Sequence, residues 1–394
     1  MTKFILSFLF LCLVSVSLFT QNMVDSLNAK LSAIQMQSKM PGFSVAIVNA
    51  DEILYQKGFG YADLETKTPF TEKTIHNIGS VSKTFIAAAL MKLVEEGKLD
   101  LDAKINDILP FPIVNPRFPN TPITVRHLAT HTSGIVDTKF YNRECYVLVD
   151  GCPKNLEGFS KSDKKAFKYL KGNELVSIND FLKSYLTPNG SLYSKKNFSK
   201  SPSGKQYEYS NIGSTVAALI VEIVSEQNYG KYVKEHVLTP LKMTHSGWKF
   251  DEIDMDKHAT LYFKNQTPVP KYTLITYPDG GLLSNCHDLS LYLQAMIQGH
   301  AKNSDFLQAS TFEEMLKMQY QNDENRSGIF WDISRKGHLQ HNGADPGIFT
   351  WIRFDPETNI GLIFMTNVLA PEDKEMLKDF KQIWKNLSKY SKQL

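Results

Sequence analysis

The stretch NIGSVSK at residues 77–83 runs directly into a long apolar pattern with helical spacing. This pattern predicts one long helix ending near Gly97, with apolar positions at Phe85, Ile86, Leu90, Leu93 and Val94. Ser80 and Lys83 have the S-x-x-K spacing, which places them one turn apart on the same side of that helix. In the first turn the backbone N–H of Ser80 faces an incoming oxyanion, and the Lys83 amine can reach the serine oxygen. A desolvated lysine loses its proton near neutral pH, so the pair predicts an activated serine nucleophile.

A tyrosine and an asparagine form the second polar element. Tyr209 and Asn211 stand immediately before a helical pattern that covers residues 212–226. A nearby lysine can lower the pKa of a tyrosine, so Tyr209 is predicted to move protons, while Asn211 can hydrogen-bond a substrate amide. Taken alone, such a tyrosine is more often a buried aromatic residue with a satisfied hydroxyl group.

The third element is His341-Asn342-Gly343, which lies where a strand is predicted to begin. His341 can offer a proton or a positive charge to a carboxylate or to a leaving group, although a lone histidine is usually structural. Gly343 would let a substrate backbone approach closely, because glycine has no side chain.

The two ends of the chain carry the strand-like patterns. Strands are predicted at Phe43–Val48, Ile53–Gly58, Ile348–Phe354 and Ile360–Thr366. A helical pattern at residues 23–39 precedes the first pair, and Pro371 opens a charged amphipathic helix after the second pair. The residues between are mostly helical. The predicted fold class is therefore α/β (α+β), with one antiparallel sheet from both chain ends, flanking helices and an inserted helical domain.

The order of the three elements resembles a known family. Ser80-x-x-Lys83, Tyr209-x-Asn211 and His341-x-Gly343 are similar to the three signatures of the serine β-lactamase and penicillin-recognising hydrolases. The resemblance is closest to the branch of class C β-lactamases, DD-peptidases and esterases. Two further segments resemble that branch: HLATHTSGI at residues 127–135 and GGLLS at residues 280–284.

The resemblance implies a role for each matching residue. Ser80 is similar to the nucleophile that becomes acylated, and Lys83 to its proton partner. Tyr209 matches the tyrosine that passes protons to the leaving group, and whether lysine or tyrosine is the base stays open. The backbone N–H groups of Ser80 and of Ala344 would form the oxyanion hole.

The resemblance also implies a domain arrangement. Residues 21–394 would form one hydrolase domain. Its sheet part covers about 21–75 and 325–394, and its helical part covers about 76–324. Residues 138–206, rich in Lys, Ser and Asn, are predicted to be a surface excursion that either narrows substrate choice or is inert.

His341 departs from the β-lactamase pattern, in which a lysine is typical of this position. A histidine there resembles certain DD-peptidases and relatives that act on D-amino-acid peptides or esters. We therefore expect a serine hydrolase acting through an acyl-enzyme on small esters or on D-amino-acid amides and peptides. The alternatives are a true β-lactamase and a penicillin-binding or sensor protein of the same fold without turnover.

Bulk composition excludes several classes of partner. The 394 residues include 44 basic and 41 acidic side chains, a formal net charge of +3, and no basic block stands out in the sequence. We therefore expect a small-molecule or peptide substrate and no nucleic acid, with the oligomeric state left open. No cofactor is expected. His127 and His131 have the i, i+4 spacing of a zinc helix, but Leu128 stands where that motif requires glutamate, so no metal is expected either.

The first twenty residues differ from the rest of the chain. After Lys3, residues 4–19 form an apolar run, which is short for a membrane span and typical of a secretory signal. Residues 1–20 are therefore predicted to be a signal peptide, and the protein to be secreted or periplasmic with no span after cleavage. An uncleaved membrane anchor stays an alternative. In an oxidising compartment Cys145 and Cys152 can form a disulfide across a turn, or both stay reduced.

Overall fold

The computed structural model describes residues 21–149, 159, 161, 164 and 173–394. Its helices are α1 (21–37), α2 (Ser82–Glu95), α3 (Val125–Ala129), α4 (Lys139–Glu144), α5 (Ile178–Leu186), α6 (Asn211–Ser225), α7 (Tyr229–Val233), α8 (Cys286–His300), α9 (Ala309–Leu316) and α10 (Lys374–Tyr390). Its strands are β1 (Gly42–Val48), β2 (Ile53–Asp63), β3 (Thr68–Pro69), β4 (His76–Asn77), β5 (Tyr146–Leu148), β6 (Tyr272–Leu274), β7 (Leu283–Ser284), β8 (Tyr320–Gln321), β9 (Arg326–Ser327), β10 (Asp332–Ile333), β11 (Leu339–Asp345), β12 (Ile348–Asp355) and β13 (Ile360–Thr366).

Both ends of the chain contribute to one antiparallel sheet, as predicted. The sheet has nine strands in the order β3-β2-β1-β13-β12-β11-β10-β9-β8. The two ends meet where β1 pairs with β13, in a register that sets Val45 opposite Phe364. Strand β1 is buried along its whole length because both faces of the sheet are covered.

Each face of the sheet packs against a different set of helices. Phe43, Val45 and Ile47 of β1 point into a cluster that includes residues of α1 and α10. The alternate residues Ala46 and Val48 belong to the larger core, shared with α2, α6 and α8. The sheet and the helical insertion therefore share one core.

Strand β2 is longer than predicted. It continues through Gly58-Phe59-Gly60 to Asp63, because the pairing with β1 extends as far as Gly42 opposite Gly60. A Cβ at Gly58 would lie 2.1 Å from the carbonyl oxygen of Phe70, so this glycine lets a neighbouring backbone cross closely.

The excursion at residues 138–206 is only partly a surface feature. Tyr141, Tyr185 and Phe198 are buried in the main core. Strand β5 pairs with β6, which anchors the excursion beside the segment that leads to Tyr277–Asp279. No helix among the described residues combines the length and apolarity needed to cross a bilayer.

Candidate active site

Ser80 lies in a tight 3₁₀ turn, Gly79–Val81, that leads into α2. Gly79 has a φ of +55°, in the left-handed region that favours glycine, and a Cβ there would lie 2.7 Å from the backbone nitrogen of Ala344. The turn therefore requires glycine for its conformation and for the close approach of strand β11. Ser80 itself is half-buried, so its hydroxyl group can be reached from solvent.

Lys83 is fully buried one turn after Ser80, as the S-x-x-K spacing predicts. Its Nζ lies 3.0 Å from Ser80 Oγ. The same Nζ donates to Asn211 Oδ1 and to the carbonyl oxygen of Asp279, each at 2.6 Å. Burial lowers the pKa of Lys83 by disfavouring the charged amine, while the nearby carboxylates, first that of Asp279, act in the opposite direction.

Tyr209 lies beside both residues. Its ring is 5.1 Å from Lys83 Nζ, and its hydroxyl hydrogen-bonds with the Ser80 side chain. The expectation that its pKa is lowered is wrong. Desolvation of the phenolate raises the pKa of Tyr209 well above its usual value, although hydrogen bonding with Ser80 opposes this. The phenol therefore holds its proton at neutral pH.

Asn211 is held at the start of α6 by Asp137, an acid distant in sequence. The carboxylate of Asp137 accepts hydrogen bonds from the backbone N–H of Asn211 at 2.8 Å and of Ile212 at 3.0 Å, and from the hydroxyl of Ser210 at 3.0 Å. The Nδ2 of Asn211 makes no hydrogen bond with the described residues, so it faces no competitor for a substrate carbonyl. Asp137 precedes α6 by more than seventy residues, and sequence reasoning missed it.

His341 lies in the middle of β11, not at its start. It is 3% exposed, its Nδ1–H donates to the carbonyl oxygen of Asn342 at 2.7 Å, and its ring centroid is 6.5 Å from that of Tyr209. Burial lowers the pKa of His341 and the Lys83 amine lowers it further, while Asp332 opposes both. The imidazole is therefore predominantly neutral at pH 7.

Gly343 brings β11 against the turn that carries Ser80. A Cβ at Gly343 would lie 1.9 Å from the carbonyl oxygen of Ile78 and 2.9 Å from the backbone nitrogen of Ser80. We expected Gly343 to let a substrate backbone approach, but the backbone that lies against it is that of Ile78 and Ser80. The two N–H groups predicted for the oxyanion hole, those of Ser80 and Ala344, consequently lie on adjoining backbones.

A buried carboxyl network, which sequence reasoning missed, lies behind Lys83. The Asp279 carboxylate accepts hydrogen bonds from Tyr141 at 3.1 and 3.2 Å and from Thr215 at 3.2 Å. Burial raises the pKa of Asp279 to about 7 although Lys83 opposes this shift. Tyr146 donates to Asp345 at 2.6 Å, and burial raises the pKa of Asp345 to about 6.

The two histidines of the i, i+4 pair have structural roles. The Nδ1 of His127 accepts the backbone N–H of Thr124, and the Nδ1 of His131 accepts that of Ser210, both at 3.2 Å. The ring of His131 lies 4.5 Å from that of Tyr209, so it supports the tyrosine. Across the part of the chain that the structure describes, no cluster of three or more potential metal ligands occurs.

Cys145 is buried and forms no disulfide with a described residue. Its predicted partner Cys152 lies outside the described residues, so the disulfide stays a prediction.

The geometry agrees with comparisons to known proteins. The Beta-lactamase family model matches residues 21–382. Protein flp of Staphylococcus aureus is 25% identical over 335 residues, covering 84% of this chain and 60% of that protein. The human mitochondrial serine beta-lactamase-like protein LACTB is 29% identical over 316 residues, covering 70% of this chain and 57% of that protein.

A solved class C beta-lactamase has the same fold, with a TM-score of 0.65 at 19% identity, over 93% of this chain and 96% of that chain. The chain spans about 60% of the length of the curated relatives it matches. The family match extends over nearly all of the described residues and includes every element that surrounds Ser80. The protein belongs to the beta-lactamase family of serine hydrolases.

Proposed function

We propose that the protein is an exported serine hydrolase that forms an acyl-enzyme on Ser80. Its proposed substrates are small esters or D-amino-acid amides and peptides. One observation carries the proposal. A neutral lysine amine has two N–H groups and one lone pair, and two carbonyl oxygens at 2.6 Å take both N–H groups of Lys83. The lone pair is left for Ser80 Oγ at 3.0 Å, the arrangement required of a base.

The protonation states support different roles for Lys83 and Tyr209 in proton transfer. Burial favours a neutral Lys83, which can accept a proton. Desolvation of the phenolate favours a protonated Tyr209, which can donate one, although 37% of that residue is exposed. In acylation the Ser80 oxygen bonds to the substrate carbonyl carbon while its proton passes to Lys83. The N–H groups of Ser80 and Ala344 would stabilise the oxyanion.

The second half of acylation uses the tyrosine. When the tetrahedral intermediate collapses, the bond from carbon to the leaving oxygen or nitrogen breaks, and the leaving group takes the proton of Tyr209. The protonated Lys83 amine then returns a proton to Tyr209 across the shared contact with Ser80. Water releases the acyl group by the same steps in reverse, which leaves Ser80 free.

The neutral state of His341 supports the choice of substrate class. A lysine at this position would carry a permanent positive charge for a substrate carboxylate, and a neutral imidazole does not. Substrates that depend less on such a charge, such as esters and amides, are therefore favoured over β-lactams. Hydrolysis of β-lactams is the alternative outcome within the same chemistry.

The test is turnover of a panel of activated esters, D-amino-acid amides and a β-lactam, with intact-mass detection of the acyl-enzyme. We expect wild type to hydrolyse at least one ester or D-amide and to gain the acyl mass, and Ser80→Ala to do neither. Tyr209→Phe should lose turnover, whereas Tyr320→Phe, in the other Y-x-N sequence of the chain, should keep it.

Three outcomes would contradict the proposal. Turnover of the β-lactam alone would make the protein a β-lactamase. Ligand binding with no turnover above that of Ser80→Ala would make it a binding protein of the same fold. Retention of residues 1–20 in the exported protein, seen by intact mass, would replace secretion by membrane anchoring.

A further inference from the structure

The C-terminal helix presents a row of lysines to solvent. Its outer face, here called the lysine face, consists of six exposed side chains spaced three or four residues apart: Lys374, Lys378, Lys381, Lys385, Lys389 and, in the turn that follows the helix, Lys392. At 3.6 residues per turn these positions fall within about 80° of one another around the helix. The buried side chains of the same helix, such as Phe380, Ile383 and Leu387, lie on the opposite side, against the sheet.

No acid neutralises the lysine face. None of the six lysines forms an ion pair with a carboxylate of the described residues, and one of the two acids of the helix, Glu375, pairs with Lys39 instead. Residues 374–394 carry a net +4 from side chains, against +3 for the whole chain, so the remainder of the protein is net −1. Because like charges three or four positions apart repel, the row does not stabilise its own helix.

The helix that carries the lysine face packs against α1. Residues of α1, which the structure describes from residue 21 onward, pack in the same apolar cluster as residues of α10. Ser26 in α1 hydrogen-bonds through its hydroxyl to that of Tyr390, at the end of α10, over 2.7 Å. Helix α10 is therefore fixed against α1, and the lysines on its outer face stay exposed.

We propose that the lysine face binds the surface of a bilayer that contains anionic phospholipids. Each lysine near such a surface is attracted to the headgroups, and a cluster of about four to eight basic residues on an amphipathic helix is typical of binding to anionic lipid. The six cations of the lysine face are ammonium groups, and none is the planar guanidinium that pairs with bases in two parallel hydrogen bonds, so a nucleic acid is a poorer match.

The full chain is to be mixed with sedimenting vesicles of phosphatidylcholine alone or with about 30 mol% phosphatidylglycerol. Binding to phosphatidylcholine measures the part of the affinity that does not depend on anionic headgroups. We expect much tighter binding to the anionic vesicles, and loss of that difference near 0.5 M salt, where exposed charges are largely screened. Replacing four lysines in Lys378→Gln/Lys381→Gln/Lys385→Gln/Lys389→Gln should weaken anionic binding by at least about 100-fold.

The matched control is Lys195→Gln/Lys196→Gln/Lys200→Gln/Lys205→Gln, which removes the same charge from exposed positions elsewhere. It should bind like wild type, and the circular dichroism melt of both variants should show that each is folded. The proposal is overturned if wild type binds both vesicles equally, if the control loses as much affinity as the lysine-face variant, or if duplex DNA at the same ionic strength is bound as tightly as the anionic vesicles.

Discussion

Lysines in two regions of this molecule have opposite environments. Lys83 is fully buried beside Ser80, where three oxygen atoms lie within 3.0 Å of its Nζ. The lysines of the C-terminal helix are exposed and form no ion pair with the described residues. Beside Ser80, groups of the protein surround the Lys83 amine and so set its pKa. On the helix the ammonium groups are exposed to water and can interact with an external anion.

The largest expected effect comes from making the buried lysine permanently charged. Lys83→Arg introduces a permanent positive charge and cannot act as a base, because a guanidinium is not deprotonated in proteins. We expect kcat/KM for an activated ester to fall by about 10²–10⁴-fold. Lys381→Arg is the matched change on the lysine face and should leave kcat/KM unaltered. Equal activity of both variants would remove Lys83 as the base.

Substitution of Gly343, which packs against the turn that carries Ser80, should be as harmful to activity as substitution of Lys83. Gly343→Ala places a Cβ 1.9 Å from the carbonyl oxygen of Ile78, which cannot move without shifting Ser80. We expect a loss of about 1–3 kcal/mol in the free energy of unfolding, measured by urea denaturation, together with loss of turnover.

Gly337→Ala is the control for this substitution. Its Cβ would meet no atom within 4 Å, so only the strain of its positive φ remains. It should keep full turnover. A Gly343→Ala protein that retained both stability and turnover would show that the approach of β11 to the nucleophile turn is not needed.

The carboxyl group behind Lys83 should set the pH range of activity. An ionised Asp279 raises the pKa of Lys83, so Asp279→Asn lowers that pKa and leaves more of the amine neutral. The acid limb of the kcat/KM profile should therefore move to lower pH. Tyr141→Phe removes only a hydrogen bond to Asp279 and should shift the limb less, in the same direction. A limb that moves to higher pH in Asp279→Asn would contradict this coupling.

His341 allows a test, with a smaller expected effect, of whether a charged side chain near Ser80 binds the substrate. If protonated His341 holds a substrate carboxylate, KM falls as the imidazole becomes protonated. Since burial lowers the pKa of His341, that fall should occur below pH 6.5, with KM for an anionic ester constant from about pH 7 to 8. The matched neutral ester should show no change in KM at low pH. A KM that worsens between pH 7 and 8 only for the anionic ester would place the pKa above its expected range.

The smallest effect concerns the lysine face itself. Lys381→Gln removes repulsion from Lys378 and Lys385, so it should raise the free energy of unfolding by about 0.2–0.5 kcal/mol at low salt. The gain should vanish near 1 M salt, since screening shortens the range of the repulsion to about 3 Å. A loss of stability instead would show that Lys381 has a favourable partner within the protein.

Much of the sheet and of the site could be predicted, because the signals were local. Strand β13 and the helices that follow Ser80 and Asn211 have apolar periodicity within one element, and the S-x-x-K spacing fixes two side chains on one helix. The length of β2 and the raised pKa of Tyr209 could not be predicted. The first depends on which strand pairs with it, and the second on how much water surrounds the phenol.

The residue types that meet at Ser80 could be predicted from the order of the three short elements along the chain. The protonation states of those residues depend on tertiary contacts. Lys83 reaches Asn211 and Asp279 across 128 and 196 residues, and Asp279 meets a phenol supplied by the excursion. Proton affinity depends on burial and on such long-range neighbours, which no local pattern contains. The spacing of the lysine face is likewise visible in the sequence. Its exposure depends on the sheet, which covers the opposite side of the helix.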